Sequence, residues 1–139
     1  MTTPRKLTRA LVIGTLVLGT AGIVGCNVQE QALWHRAAQT DLFLKIAATR
    51  SPGAPSDAEL ARLRACESHG NYRAVSRSGT YRGAYQFSQR TWNNVAGSVL
   101  PQFHGRDPIS TPPHVQDAMA RALWTMTGPR SWPVCGRRA

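Results

Sequence analysis

The sequence predicts a small α+β domain in which helices dominate. Three observations carry that expectation. Two stretches have helix-start chemistry followed by apolar residues at helical spacing, around residues 56–68 and 111–127. A shorter helical stretch lies between them. A weakly alternating, glycine-containing segment, residues 76–86, separates the first helix from the second and reads as a short β-hairpin or a loop of strand character.

The chain has 139 residues, room for one small domain and some additions. Arg5, Lys6 and Arg9 open it, an uncharged apolar run follows, and Ile23-Val24-Gly25-Cys26 closes the run. The run is shorter than the ~20 apolar residues that a comfortable membrane span requires. Residues 1–26 are therefore expected to be a signal peptide ending in a lipobox, with Cys26 lipidated. A signal-anchor with an incidental Cys and ordinary cleavage are the alternatives. Residues 27–54 follow as a spacer helix and a Pro/Gly linker. Leu33, Ala37, Leu44 and Ala48 fall near one face of that helix, which either spaces or packs on the domain. Ser51-Pro52-Gly53-Ala54-Pro55 is a breaker cluster, so the folded domain is expected to occupy residues 55–139.

Within it, Ser56-Asp57-Ala58-Glu59 forms a capping box. The helix it opens places Leu60, Leu63 and Glu67 on one face. Ser88 is suited to cap a helix over residues 89–96, with Phe87 and Trp92 spaced as a hydrophobic staple across the cap. Thr111-Pro112 looks like a cap followed by Pro at the first helical position. The last helix carries Val115, Met119, Ala122, Leu123 and Met126 on one side until Gly128-Pro129 ends it.

A carboxylate on the apolar face of a helix demands a reason. Glu67 is one of three glutamates; Glu30 lies in the spacer and Glu59 belongs to a cap. Glycoside cleavage requires an acid that keeps its proton near neutral pH, and burial against apolar side chains supplies that property. The plain alternative is a solvated glutamate at a helix end. No Asp or Glu occurs between Ser68 and Arg106, so a second catalytic carboxylate is not apparent. Asp107 is a minor candidate in an irregular loop, and Asp117 is expected on the outer face of the last helix.

Cys66-Glu67-Ser68, Gly70-Asn71-Tyr72, Gly83, Gln86-Phe87, Thr91-Trp92 and Trp132-Pro133-Val134-Cys135 together resemble the transglycosylase-like domain of the resuscitation-promoting factor type, a family typical of actinobacteria. The resemblance covers about residues 63–135. It implies a lysozyme-like fold with a Cys66–Cys135 disulfide, Glu67 as the catalytic acid and base, and Gln86 as a cleft contact. It also implies cleavage of peptidoglycan glycan between N-acetylmuramic acid and N-acetylglucosamine without cofactor or metal. A single glutamate of this kind first donates a proton to the glycosidic oxygen and then accepts one. The acceptor of the sugar is either its own 6-hydroxyl or water, so a hydrolysing muramidase on the same fold is one alternative; a non-catalytic peptidoglycan-binding or signalling lipoprotein with Glu67 ionised is the other. His69 departs from the pattern, standing where the family usually has Gly.

Other residues stay open between roles. Asn71, Tyr72, Tyr81 and Thr91 are candidates for substrate contact, and each Tyr is equally suited to simple packing. Asn71 and Ser68 either hydrogen-bond the glutamate or close the helix end. Three cysteines leave one unpaired, and lipid on Cys26 would account for it. The net charge of +10 comes from 17 basic against 7 acidic residues, scattered along the chain. It suits an anionic cell-wall or membrane surface. No nucleic-acid motif accompanies it. Cys66, His69 and Cys135 lack the fourth ligand of a zinc site. The expected partners are peptidoglycan and, through a lipid or a signal-anchor, the outer face of the plasma membrane. The sequence does not speak to oligomeric state.

Overall fold

The computed structural model describes the backbone of residues 21–139 and the side chains from Gln31 onward, Trp34 excepted. The leader residues 1–20 and the side chain of Cys26 lie outside the described residues. Among the described residues no helix is long and apolar enough to cross a membrane. The chain divides into one unit ending at His35 and another running from Arg36 to Ala139.

Helix α1 spans Ala21–Ala48. In the second unit its last turns place Leu42 and Ile46 against the core, while Phe43 and Leu44 are exposed. The packed stripe is thus offset from the expected face of Leu44 and Ala48. Leu42, Ile46 and the buried Thr49 are spaced four and three apart, which is the stripe that meets the domain.

Helix α2 (Asp57–Ser68) begins with the expected capping box. The Ser56 hydroxyl accepts from the Glu59 N–H at 3.2 Å, and the Glu59 carboxylate accepts from the Ser56 N–H at 2.7 Å. Leu60 and Leu63 point into the core. Asp57 also receives the buried Arg121 from the last helix, which fixes the helix start.

Strands β1 (Tyr81–Arg82) and β2 (Phe87–Ser88) pair antiparallel, with Tyr81 opposite Ser88 and Arg82 opposite Phe87. The hairpin begins five residues later than the stretch read from the sequence. Buried Phe87 and the capping role of Ser88 set its register. The earlier part forms its own turn, closed by a bridge between Val75 and Arg82.

Helix α3 (Gln89–Val99) is capped by Ser88, whose hydroxyl accepts from the Thr91 N–H at 3.2 Å. It runs three residues past the expected end and stops before Pro101, where a ring cannot continue the ladder. Phe87 meets the edge of Trp92 at 5.5 Å between centroids, so the staple forms. Phe87 also meets Trp132 edge-on at 6.2 Å.

Helix α4 (Pro113–Thr127) starts one residue later than expected. The Thr111 hydroxyl donates to the Pro108 carbonyl at 2.7 Å, serving the preceding 3-10 turn rather than capping α4. Val115, Met119, Ala122 and Leu123 are buried as anticipated. Met126 is 51% exposed, because the helix has run past the last core layer at Leu123. Single 3-10 turns complete the chain, the last at Cys135–Arg137. Cys135 joins Cys66 in the disulfide, with the Cα atoms 5.7 Å apart. The result is a small, mostly helical, lysozyme-like α+β domain with a two-stranded antiparallel sheet.

The disulfide closes a loop of 69 residues around a modest core. Replacing Cys135 by Ser is expected to cost about 2–4 kcal/mol and to lower Tm by roughly 10–25 °C in thermal unfolding. Gly83 sits at φ +82°, and a Cβ there would run into Gln116 Oε1. Gly83→Ala is therefore expected to lose about 2–4 kcal/mol in urea unfolding, through backbone strain and overpacking together.

Candidate active site

Glu67 lies in the last turn of α2, half-buried. Its carboxyl makes no hydrogen bond or ion pair with any described residue. Burial pushes its pKa up from the ordinary 4.5, with no opposing cation. The neighbouring backbone is held from both sides. Cys66 is tied to Cys135, and Ser68 donates its hydroxyl to the Ala84 carbonyl at 2.8 Å. That bond joins the helix end to the turn between β1 and β2, where Gln86 sits.

The helix ends on His69 in the left-handed region (φ 56°, ψ 30°). The turn thus requires the conformation for which Gly is better suited, and His69 adopts it. It lets the His69 N–H reach Ala65 O and the Gly70 N–H reach Arg64 O, both at 3.0 Å. Gln86 has φ 51°. These two are the only non-glycine residues with positive φ among the described residues, and both flank Glu67 along the joined helix end and turn. Backbone strain of about 1–2 kcal/mol at each is tolerated where surrounding bonds over-determine it, and such strain clusters at functional sites.

Each expected contact residue has a definite place. Gln86 is half-buried; its Nε2 donates to Gly83 O at 2.9 Å, leaving Oε1 without a described partner. Thr91 is half-buried at the start of α3, its hydroxyl 2.9 Å from that of Ser88. Tyr81 is exposed on β1. Asn71 is exposed, and its side chain accepts from the Arg73 N–H at 2.9 Å, so it closes the local turn and does not bond Glu67. Ser68 likewise serves closure, donating to Arg64 O and Ala84 O. The Ser68–Ala84 bond joins the Glu67 end of α2 to the turn that carries Gln86, and Thr91 lies in the first turn of the helix that follows β2. Asn71 and Tyr81 are exposed and make no hydrogen bond or ion pair with Glu67 among the described residues.

Asp117 departs from expectation. It does not face outward from α4 but accepts from the Tyr72 hydroxyl at 2.7 Å and from the Tyr85 hydroxyl at 2.6 Å. Arg64 donates to the Tyr85 hydroxyl at 3.1 Å, stands 3.8 Å from Asp117, and lies 5.9 Å from the centre of the Tyr72 ring. Burial, and then the bond to Asp117, push the Tyr72 hydroxyl up to about 12 and raise Tyr85 further. Asp107 is also committed. Arg82 grips it at 2.7 and 2.8 Å, and that contact holds its carboxyl below the usual range.

Gln116 is the residue that sequence reasoning missed. Fully buried, it accepts from the Ala84 N–H at 2.9 Å and donates to Tyr72 O at 3.0 Å and Pro108 O at 2.8 Å. The signal was present: Gln116, Ala120 and Leu123 are spaced as a buried face, which makes a glutamine there anomalous.

The sequence profile of the transglycosylase-like domain family matches residues 54–135, more than half of the chain. The chain belongs to the transglycosylase-like domain family. Among curated proteins it is similar to the probable transglycosylase SceD of Staphylococcus carnosus, 38% identical over 66 residues, which are 48% of this chain and 27% of that protein. The probable transglycosylase SceD 3 of Staphylococcus saprophyticus is 41% identical over 66 residues, 48% of this chain and 26% of that protein. The probable transglycosylase SceD of Staphylococcus aureus is 37% identical over 76 residues, 55% of this chain and 32% of that protein. The chain thus spans between 26% and 32% of the length of these relatives. The transglycosylase-like domain contains every residue of the region built around Glu67.

The raised Glu67 pKa makes a stability prediction with a definite sign. Well below 4.5 the carboxyl is protonated in both folded and unfolded chains. As pH rises, the unfolded chain releases its proton first, so folding is increasingly penalised until the folded carboxyl also ionises. Glu67→Gln is expected to unfold at higher urea than the wild type at neutral pH. The difference should vanish at about pH 3.5, where neither state is ionised. A Gln variant less stable at neutral pH would show that the carboxylate is favourably held.

Proposed function

We propose that this domain cleaves the glycan of peptidoglycan between N-acetylmuramic acid and N-acetylglucosamine, with Glu67 as the single acid and base. The observation that carries the proposal is a half-buried carboxyl of raised pKa, unpartnered among the described residues, in a transglycosylase-like domain. The names of the staphylococcal relatives support the same reaction class.

In this reading the Glu67 proton passes to the glycosidic oxygen as its bond to the sugar carbon breaks. The substrate's N-acetyl group stabilises the positive charge on that carbon. The Glu67 carboxylate then takes the proton of the 6-hydroxyl as that oxygen attacks, which gives a 1,6-anhydro end and restores the acid. Asp107 is held by Arg82, and Asp117 by two tyrosines and Arg64. Their engagement favours the one-glutamate route over a paired-carboxylate one. Gln86 contributes its free Oε1 to the sugar, while Thr91, Tyr72, Tyr81 and Asn71 form the surrounding contacts. The wider reading is of an exported, resuscitation-promoting-factor-type protein acting in the cell envelope, with residues 55–139 as its catalytic domain. Residues 27–54 then lead from an anchor at Cys26.

Digestion of purified peptidoglycan by the full chain, with mass spectrometry of the new ends, tests the reaction. Anhydro ends, lighter by one water than reducing ends, are expected. Glu67→Gln should lower the rate by about 10²–10⁴, the usual contribution of a positioned acid. Full activity in that variant would exclude Glu67. Reducing ends would assign hydrolysis, and glycan binding without turnover would assign a binding module.

A further inference from the structure

Arg64 and Glu67 are three residues apart on α2, a spacing at which an arginine and a glutamate ordinarily pair. Here they do not. Arg64 turns to the Tyr85 hydroxyl and Asp117 and covers the Tyr72 ring. Every other carboxylate with a described side chain has a partner. Asp41 has Lys45, Asp57 has Arg50 and Arg121, Glu59 has Ser56, Asp107 has Arg82, and Asp117 has Tyr72 and Tyr85. In a chain of net charge +10, leaving one acid unpaired requires the nearby cations to be occupied or out of reach.

We infer that Asp117 is a positioning residue: it holds Arg64 away from Glu67 and so preserves the proton that glycan cleavage uses. This rests on the reading of Glu67 as the acid. The other charged groups on the elements around α2 do not substitute for Arg64. Arg82 on β1 is occupied by Asp107. His69, just past the helix, and Arg137, in the turn containing Cys135, make no hydrogen bond or ion pair with Glu67 among the described residues. The Tyr72 and Tyr85 hydroxyls donate their hydrogen bonds to Asp117 and not to Glu67. Only burial acts on the Glu67 carboxyl in the arrangement observed. Loss of the Asp117 charge removes the electrostatic reason for Arg64 to stay, and a rotamer change brings the guanidinium to Glu67.

The test is carboxyl-carbon NMR titration of Glu67 in the full chain, for the wild type, Asp117→Asn and Asp117→Asn/Arg64→Gln. Asn keeps the shape of Asp, so the fold should persist; Tyr85→Phe, which removes the hydroxyl that Arg64 grips, is the second route to the same release. The expected result is that the Glu67 midpoint falls by about one pH unit in Asp117→Asn and returns in the double variant. The alkaline limit of glycan cleavage should move down with it. A midpoint unchanged in Asp117→Asn, whatever Tyr85→Phe does, or a fall that Arg64→Gln does not reverse, overturns the inference. The two readings fail separately. If the midpoint moves as expected while the wild type cleaves no glycan, the reaction is wrong and the Arg64 arrangement stands. If glycan is cleaved and the midpoint stays, the inference alone is lost.

Discussion

The loops around Glu67 contain little regular structure, and their backbone groups must find partners elsewhere if they are to be buried. Gln116 provides them. One amide, projecting from the first turn of α4, engages Ala84 in the hairpin turn, Tyr72 after α2, and Pro108 before α4. A buried amide is costly unless both of its ends are satisfied, and here both are. The same requirement explains Gly83. Gln116 approaches the turn so closely that no side chain fits at that position. The hairpin is short because it does not need to be longer. Two ladder pairs and one glutamine hold what a larger sheet would otherwise hold.

Asp117, the next residue on α4, extends that bracing in a different chemical form. Two phenolic hydroxyls and a guanidinium converge on it, and the Tyr85 hydroxyl donates to the carboxylate while accepting from Arg64. In a low-dielectric environment such a chain is valuable only when all its members are satisfied. Adjacent residues on a helix point about 100° apart, so the pair reaches two different sets of loops. Gln116 fixes backbone, and Asp117 fixes side chains. The C-terminal end of α2, with Glu67 on it, is thereby related to α4 through Arg64. It is related to the hairpin turn through Ser68, and to the C-terminus through Cys66.

Much of this was legible in the sequence where the signal is local. The capping box at Ser56, the Ser88 cap and the Phe87–Trp92 staple depend on residues three to five apart, and all three form. Leu60 and Leu63 are buried as their spacing indicated. The resemblance to a known family supplied the Cys66–Cys135 pairing, which no local pattern contains. The failures are of another kind. Periodicity alone puts Asp117 outside, because charged residues on helices are ordinarily solvated; its partners lie 32 and 45 residues away. Thr111 resembles a cap in isolation, yet Pro108 claims its hydroxyl. On α1 the apolar residues permit more than one stripe, and only the surface they meet selects Leu42 and Ile46. Sequence periodicity identifies a face, whereas a partner distant in sequence decides whether a polar residue belongs to it.

The two left-handed residues show how the bracing and the strain belong together. His69 and Gln86 each accept a backbone conformation that relaxation to the right-handed or extended region would relieve. Neither can relax alone. His69 is bound into the closing turn of α2 by the bonds to Ala65 and Arg64, with the disulfide one turn behind. The Gln86 N–H and side chain both bond Gly83 O, and Gly83 is confined by Gln116. A helix that continued past Ser68 would carry the chain away from the hairpin and break the bond to Ala84. The reversal at His69 keeps the Glu67 end of the helix beside the turn that bears Gln86. Strain of about 1–2 kcal/mol at each residue is small beside a disulfide and a buried polar frame. It is their combined constraint that allows an unpaired acid and a free amide oxygen to be presented on two short, joined segments.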